Sequence, residues 1–201
     1  MYKATDNSPE AAKMCAGILQ KKGSVILVPT ETVYGLAANF DDRTAIEEIY
    51  RLKGRDRDKP LALFVRNTSD IVMAGGILDK RGEALISRFM PGPLTLILPG
   101  RDGSSVGIRM PSHPFIMDLL KHLPFPLVNT SANASGYPNA LSCTEALAML
   151  NGEPAAAIDG GALPPTALAS TIVDLRHPDT FSILRKGPIS EADISEVLGK
   201  E

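Results

Sequence analysis

Two kinds of hydrophobic pattern alternate along the chain. Short runs of consecutive apolar residues indicate buried strands, and apolar residues spaced three or four apart indicate amphipathic helices. Strands are predicted at residues 24–29, 33–40, 61–65, 94–99, 106–111 and 126–130, and three late strands within 155–161, 170–175 and 181–187. Helices are predicted at residues 8–23, 44–53, 114–122, 142–152 and 190–199, with a pair of helices within 68–90.

Capping residues support these helix boundaries. Ser8 stands directly before a proline, and Ser190 is followed three residues later by Asp193, as in a capping box. Helices and strands are interleaved, without an internal repeat or a Gly/Ser linker. The sequence therefore predicts an α/β (α+β) fold, with an open, twisted, mixed sheet flanked by helices. We expect a single domain over residues 1–201, with its core at about 8–190.

Composition narrows the class of protein. The 201 residues carry a formal net charge of −2, so contact with a nucleic acid would need a local basic patch. Aromatic residues make up 5% of the chain, which disfavours a base-stacking platform. Cys15 and Cys143 lie in helix-like segments and are predicted to be buried free thiols. Without a signal peptide or an apolar run of membrane-spanning length, we expect a soluble, cytoplasmic protein that does not contact a membrane.

The stretch KGRDRDKPLALFV (residues 53–65) places four cations in front of an apolar run. Residues two apart share one side of an extended chain, so Lys53, Arg55, Arg57 and Lys59 are predicted to form a row on one face. Such a row suits a polyanion, either a triphosphate or a nucleic-acid backbone. The alternative is a charged, solvated connection between a helix and a strand.

Polar residues also lie at the ends of several other predicted strands, where open α/β sheets place ligand crevices. These residues are Thr30, Thr32, Arg109, Asn129, Thr130, Ser131, Asn133, Ser170, Thr171, Arg185 and Lys186. Hydroxyls and amides can fix a small ligand while cations meet its negative charge. As alternatives, serine and threonine often only form turns. Arg109 could pair with a core carboxylate instead of a ligand, and Arg185 could simply extend into solvent.

Several catalytic motifs are absent from the sequence. It contains no Walker-type phosphate loop, no GxGxxG turn and no nucleophile elbow, and its histidines and cysteines lack metal-ligand spacing. The candidate site thus consists of cations, hydroxyls and amides without an evident nucleophile. This composition suits nucleotidyl transfer from ATP by positioning and charge neutralisation, and it equally suits anion or RNA binding.

Collinear motifs over nearly the whole chain resemble the YrdC/TsaC family of threonylcarbamoyl-AMP synthases, in its short, single-domain type. The motifs are VPTETVYGLAANF (28–40), KGRDRDKPLALFV (53–65), FMPGPLTLILP (89–99), VGIRMPSHP (106–114), VNTSANASGYPN (128–139), DGG with STIVDL (159–175) and ILRKGPI (183–189). The family's signature is K-x-R followed far downstream by S-x-N, here Lys53, Arg55, Ser131 and Asn133. The resemblance implies a twisted mixed sheet with a basic concave face.

The resemblance also implies a reaction, in which L-threonine, bicarbonate and ATP give threonylcarbamoyl-AMP and pyrophosphate, with Mg²⁺ accompanying ATP. The implied catalytic residues are Lys53, Arg55, Ser131 and Asn133. The implied threonine-binding residues are Thr32, Arg109, Asn129 and Ser170, with Arg109 holding the carboxylate by a fork of hydrogen bonds. The implied ATP-binding residues are Lys53, Arg55, Lys59, Ser105, Ser131, Asn139 and Arg185. The implied partner is the tRNA threonylcarbamoyl-transferase complex, and direct contact with tRNA is also possible.

Two positions depart from the family's pattern. Asp56 stands where many relatives have proline, and Phe64 stands where many have a histidine that contacts threonine. Thr30 and Thr32 are candidates to replace that polar contact. Two other functions compete with the synthase: an RNA-binding or ribosome-associated module of the same fold, and a carbamoyl-adenylating domain like that of hydrogenase maturation. The latter protein is far longer and carries zinc-binding cysteines that this sequence lacks.

Overall fold

The computed structural model describes residues 1–4 and 8–199. Residues 5–7 and 200–201 of the predicted domain lie outside the described residues. The strands are β1 (Tyr2–Ala4), β2 (Val25–Val28), β3 (Gly35–Asn39), β4 (Ala62–Phe64), β5 (Leu94–Pro99), β6 (Ser105–Arg109), β7 (Leu127–Ser131), β8 (Ala156–Ile158), β9 (Thr171–Asp174) and β10 (Ser182–Arg185). The helices are α1 (Pro9–Leu19), α2 (Arg43–Lys53), α3 (Thr68–Met73), α4 (Lys80–Phe89), α5 (Pro114–Lys121), α6 (Cys143–Met149) and α7 (Glu191–Leu198).

The strands form one sheet in the order β1-β8-β2-β3-β7-β4-β6-β5-β9-β10. Parallel pairs such as β4–β6 and β5–β9 occur beside antiparallel pairs such as β3–β7 and β5–β6. The sheet is therefore mixed, and the predicted α/β fold class is confirmed. Strand β1 was not predicted, because three residues are too few to show a hydrophobic period. It pairs in parallel with β8 at the edge of the sheet.

Side chains of each central strand alternate between two hydrophobic cores. In β2, Val25 and Leu27 belong to one core, and Ile26 and Val28 belong to the other. Helices α2, α3, α4, α6 and α7 contribute to the first core. Helices α1 and α5 contribute to the second, where Phe115 and Leu119 are buried. The sheet thus has helices on both faces, as expected for this class.

The second core covers only part of its face of the sheet. Its buried strand residues come from β2, β3, β4, β7 and β8, and none of the described ones comes from β5, β6, β9 or β10. Ala62 lies two residues before Phe64 on β4, and residues two apart on a strand point to the same face. Arg109 is the register partner of Phe64 on β6, so all three side chains lie on this face. The part of the face formed by β6, β5, β9, β10 and the Ala62 end of β4 is left open, and this opening positions the candidate site.

Two further predictions concern the cysteines and the membrane. Cys15 and Cys143 are both buried and free, as predicted. Among residues 1–4 and 8–199, no helix combines the length and the apolar character needed to cross a bilayer.

Candidate functional site

A cavity of about 140 Å³ opens on the uncovered half of the sheet. Its lining comes from strands β4 to β7, β9 and β10 and from the segments next to them. The lining residues are Val33, Arg55, Pro60, Ala62, Thr95, Arg109, Asn129, Thr130, Ser131, Ala169, Ser170, Ile172 and Arg185. Distant parts of the sequence therefore meet in one hollow that contains three guanidinium groups and several hydroxyls.

The structure brings together half of the predicted site residues in this lining. These are Arg55, Arg109, Asn129, Ser131, Ser170 and Arg185. Three other predicted residues hydrogen-bond to lining residues from behind, namely Thr32, Lys53 and Asn133. The remaining three, Lys59, Ser105 and Asn139, are not lining residues. Their predicted contact with ATP stays a prediction, and Ser105 shares the face of β6 that carries Arg109.

Arg109 ends β6 and lies in the floor of the cavity, with 7% of its side chain exposed. Its Nη2 forms an ion pair with Glu31 Oε1 at 2.8 Å and donates to Thr32 Oγ1 at 3.0 Å. The sequence leaves two partners open for Arg109, a core carboxylate or a ligand. The structure shows Arg109 paired with a carboxylate, that of Glu31. Because Arg109 also lines the cavity, the ion pair does not remove it from the candidate site.

The two hydroxyls that follow β2 form a chain behind Arg109. Thr30 Oγ1 lies 2.7 Å from the carbonyl oxygen of Val33, to which it can only donate, and 2.9 Å from Thr32 Oγ1. Thr30 Oγ1 also accepts from the backbone nitrogens of Thr32 at 3.1 Å and Val33 at 3.2 Å, so both of its lone pairs are engaged. Thr32 Oγ1 accepts from Arg109 Nη2. The two threonines therefore hold the Arg109 guanidinium from behind.

Two buried donors at the cavity have no partner. Arg109 Nε and Asn129 Nδ2 are both inaccessible to solvent and without a hydrogen bond in the described structure. Asn129 is 9% exposed and pairs in the sheet with Ala62, which is itself next to β6. Buried polar groups are almost always hydrogen-bonded, and an unpaired one costs free energy. Two unpaired donors at one cavity indicate a place where a ligand supplies acceptor oxygens.

Arg185 approaches the cavity from β10. Its Nε donates to the carbonyl oxygen of Ser170 and its Nη2 to Ser170 Oγ, both at 2.9 Å. Ser170 Oγ also lies 2.8 Å from Thr95 Oγ1 on β5. Burial and the nearby charge of Arg109 lower the pKa of Arg185 from its ordinary value. Arg185 is exposed as a residue, and these contacts hold its guanidinium at the cavity.

Lys53 anchors the loop that follows β7. The residue is 2% exposed, and its Nζ donates to the carbonyl oxygens of Ser131 and, at 2.6 Å, of Asn133. In the same loop Ser131 Oγ donates to Asn133 Oδ1 at 2.5 Å, and Asn133 Nδ2 donates to the carbonyl oxygen of Tyr137 at 2.6 Å. Burial and the neighbouring Arg55 lower the pKa of Lys53 to about 8. The K-x-R and S-x-N motifs are thus joined through one ammonium group.

The predicted row of four cations is wrong. Lys53 is the last residue of α2, and Gly54 ends the helix in the left-handed conformation. The chain then turns instead of extending, so side chains two apart do not share a face. Arg57 pairs with Glu47 on the surface, and Lys59 pairs with Asp56 at 3.3 Å. Of the four cations only Arg55 lines the cavity.

Phe64 lies beneath Arg109. Its side chain is buried in the core shared with α1 and α5, and its ring centre is 5.9 Å from the Arg109 guanidinium carbon. An arginine over an aromatic face at this distance gains cation–π attraction. Phe64 therefore supports Arg109 from below instead of offering a polar group to a ligand.

Sequence reasoning missed Glu31 and Thr95. Glu31 stands between Thr30 and Thr32, which are predicted to be strand-end hydroxyls. No local sequence pattern indicates that its carboxylate turns toward Arg109. Thr95 was counted only as a residue of a buried strand. Its position two residues before Ile97, on the open face of β5, becomes apparent only from the strand register.

The cavity lining offers few of the ligands that magnesium prefers. The lining supplies hydroxyl, carbonyl and amide groups but no carboxylate, and among the described residues no group of three or more His, Cys, Asp or Glu could hold a metal ion. Mg²⁺ commonly binds through substrate phosphates and water with one or two carboxylates. The lining therefore fits a magnesium ion carried by a triphosphate better than one held by the protein.

Comparison with known proteins identifies the family of this chain. The sequence model of the Sua5/YciO/YrdC family, described as "Telomere recombination", matches residues 19–187. The threonylcarbamoyl-AMP synthase of Bacillus subtilis is 34% identical over 204 residues, covering 96% of this chain and 58% of that protein. The chain thus spans less than two thirds of this relative's length.

Solved structures extend the comparison to the fold. P. abyssi Sua5 complexed with L-threonine matches with a TM-score of 0.88 and 30% identity, over 99% of this chain and 61% of that one. E. coli YciO matches with a TM-score of 0.82 and 24% identity, over 96% and 97% of the two chains, which bears on the fold alone. The family model spans most of the chain, and so the protein belongs to the Sua5/YciO/YrdC family.

Proposed function

We propose that this protein is an L-threonylcarbamoyladenylate synthase, a nucleotidyltransferase that forms threonylcarbamoyl-AMP and pyrophosphate from L-threonine, bicarbonate and ATP. The observation that carries the proposal is the pair of unpartnered donors, Arg109 Nε and Asn129 Nδ2, in a cavity that Arg55 and Arg185 also line. Relatives that bear this name share about a third of its residues, and one relative's structure contains L-threonine. The RNA-binding alternative loses its main support, because the row of four cations is absent.

The threonine carboxylate would lie between Arg109 and Asn129. A carboxylate accepts from several donors at once, so it would satisfy both unpaired groups. The predicted fork of two parallel bonds from Arg109 needs Nη2, since each edge of the guanidinium that can form a fork includes this nitrogen. Nη2 is already engaged by the ion pair with Glu31 and the hydrogen bond to Thr32. Hydrogen bonds to the carboxylate from Arg109 Nε and Asn129 Nδ2 fit the observed contacts better.

The threonine hydroxyl would lie toward the hydroxyl groups at the cavity. Thr32 Oγ1 is an acceptor, and Ser170 Oγ is already within reach of Thr95 Oγ1 and Arg185. A site built to hydrogen-bond a substrate hydroxyl rejects an analogue that lacks it, because its own polar groups are then left unpaired. Valine should therefore bind much more weakly than threonine.

ATP would lie on the other side of the cavity. Arg55 and Arg185 would face the phosphates, with Ser131 in the lining beside them. Arginines suit this role because their planar donors match phosphate oxygens. Lys53 would act through the loop that carries Ser131 and Asn133 instead of touching a phosphate. Magnesium, as part of the triphosphate complex, would neutralise phosphate charge.

The chemistry needs positioning and charge neutralisation more than a protein base. Bicarbonate takes up a proton and loses water to give carbon dioxide, and the amine of threonine adds to it and releases a proton to solvent, which gives an anionic carbamate. A carbamate oxygen then attacks the α-phosphorus in line, a new P–O bond forms, and the bond to pyrophosphate breaks. Arg55 and Arg185 would offset the charge that develops on the phosphates. The product would pass to the transferase complex that modifies tRNA, with direct tRNA contact possible during this transfer.

An exchange assay tests the proposal. The protein is incubated with ATP, labelled pyrophosphate, bicarbonate and one amino acid, and the label entering ATP is measured. We expect exchange with threonine that depends on bicarbonate, and threonylcarbamoyl-AMP by mass spectrometry when pyrophosphate is removed. An absence of threonine-dependent exchange, together with salt-sensitive tRNA binding, would favour the RNA-binding module instead.

A further inference from the structure

Glu31 joins three segments of the chain at the edge of the cavity. Its Oε1 forms an ion pair with Arg109 Nη2 at 2.8 Å and accepts a hydrogen bond from the backbone nitrogen of Ser112 at 3.1 Å. Glu31 follows β2, Arg109 ends β6, and Ser112 lies just before α5. One carboxylate oxygen therefore ties the guanidinium to two neighbouring loops.

This contact determines which hydrogens of Arg109 remain free. Nη2 forms the ion pair with Glu31 and donates a hydrogen bond to Thr32. The guanidinium is planar and rigid, so fixing Nη2 at two acceptors also fixes the direction of Nε–H. Nε is the buried nitrogen without a partner among the described residues, and Glu31 Oε2 is likewise buried without one. The ion pair thus uses Nη2 of Arg109 and Oε1 of Glu31, and the Nε donor of Arg109 has no acceptor among the described residues.

The charge of Glu31 matches its position. Burial raises the pKa of this carboxyl group, but the charge and hydrogen bond of Arg109 outweigh burial and hold the pKa below its ordinary value. Glu31 is therefore anionic at neutral pH and faces a guanidinium that is almost fully buried. A buried charge that loses its partner is strongly disfavoured, so Arg109 would reorient without Glu31.

We propose that Glu31 is a positioning residue for amino-acid recognition, which acts by aiming Arg109 Nε at the substrate carboxylate next to Asn129 Nδ2. The inference rests on the proposed function, because it assigns the carboxylate of threonine to these two donors. Glu31 does not touch the substrate. Its effect should therefore be confined to the amino-acid end of the site, and the ATP end should not respond.

Steady-state kinetics of Glu31→Gln tests this inference. Glutamine keeps the size and one acceptor oxygen but removes the charge, and we expect the KM for threonine to rise about tenfold. The KM for ATP should stay within about twofold, since none of the described contacts of Glu31 reaches Arg55 or Arg185. Glu31→Asp, which keeps the charge on a shorter side chain, should fall between glutamine and the wild type. Glu47→Gln is the matched control, because it breaks a surface ion pair with Arg57 and should change neither constant.

The outcomes separate this inference from the function on which it rests. Circular dichroism first confirms that each variant folds. A wild type that responds to threonine, combined with a Glu31→Gln variant whose KM for threonine is unchanged or lower, overturns the positioning role alone. Equal increases in both Michaelis constants also overturn it, because they indicate general disruption. A wild type without any response to threonine overturns the proposed function and this inference together.

Discussion

Lys53 Nζ lies 2.6 Å from the carbonyl oxygen of Asn133, a residue 80 positions further along the chain. The same nitrogen donates to the carbonyl oxygen of Ser131, and the backbone nitrogen of Ser135 donates back to the Lys53 carbonyl oxygen at 3.1 Å. The end of α2 and the loop after β7 are therefore held together from both directions. The family's lysine acts here as an anchor for the serine and asparagine of its second motif.

Replacement of Lys53 by methionine should loosen this loop. Methionine fills similar volume but leaves two buried carbonyl oxygens without a donor, at a cost of about 1–3 kcal/mol for each. We expect a lower free energy of unfolding in urea and faster hydrogen exchange of the amides in residues 131–139. Lys121→Met is the control, since Lys121 is an exposed partner of Asp118. Equal exchange in the loop of both variants would show that Lys53 is not its anchor.

The stability of the protein should depend on pH through Lys53. Its pKa is about 8 in the folded protein, against an ordinary value of 10.5. Between these values the unfolded chain binds more protons than the folded chain, so the free energy of unfolding rises with pH over this window. A neutral amine still has two N–H donors for the two carbonyls, so the anchor persists.

Urea unfolding at several pH values checks this sign. The difference between the wild type and Lys53→Met should grow in favour of the wild type from pH 8 toward 10 and stay flat below pH 8. Other groups titrate equally in both proteins and cancel in the difference. A difference that is constant over the whole range, or that shrinks with rising pH, is incompatible with a lowered pKa.

Arg55 and Arg57 should differ sharply in their importance. Arg55 lines the cavity, where its Nη2 donates to the carbonyl oxygen of Pro60 at 3.2 Å, while Arg57 pairs with Glu47 on the surface. We expect Arg55→Ala to lower threonine-dependent ATP–pyrophosphate exchange by about a hundredfold or more, because a phosphate loses its charged donor. Arg57→Ala should change exchange by less than about twofold. Similar losses in both variants would restore the idea of a cationic row.

Phe64→His tests the departure from the family's pattern. The imidazole would lie in the core beside α1 and α5, without the aromatic bulk that Phe64 places under Arg109. We expect a loss of about 1–3 kcal/mol in the free energy of unfolding and no decrease in the KM for threonine. Phe64→Leu controls for lost ring packing. A histidine variant that binds threonine more tightly would show that the aromatic ring replaces a useful polar contact.

Local patterns predicted the elements well where the local signal was strong. The run LTLILP is β5 over its whole length, and Ser190 with Asp193 forms the predicted capping box of α7. The predicted helix does end at Lys53, but the extended chain that the alternating charges suggested there is wrong. Gly54 instead stops a helix, and the next residues turn. Charge alternation alone does not distinguish a strand from a helix end followed by a turn.

The candidate site was predicted only in part, because its geometry depends on long-range register. Strand-end polarity identified Arg109, Asn129 and Ser170, which the sheet order brings to one cavity. Nothing in the local sequence places the Glu31 carboxylate against Arg109. That contact depends on the path of the loop after β2 relative to β6, which are separated by three strands in the sheet.

The most direct test of the account is a calorimetric titration of amino acids into the wild type and Asn129→Leu, each with a non-hydrolysable ATP analogue. The account predicts that the wild type binds threonine in preference to serine and valine, and that Asn129→Leu loses threonine binding while it still binds the analogue. Threonine binding of equal strength in both proteins, or no preference for threonine in the wild type, would contradict the assignment of the cavity.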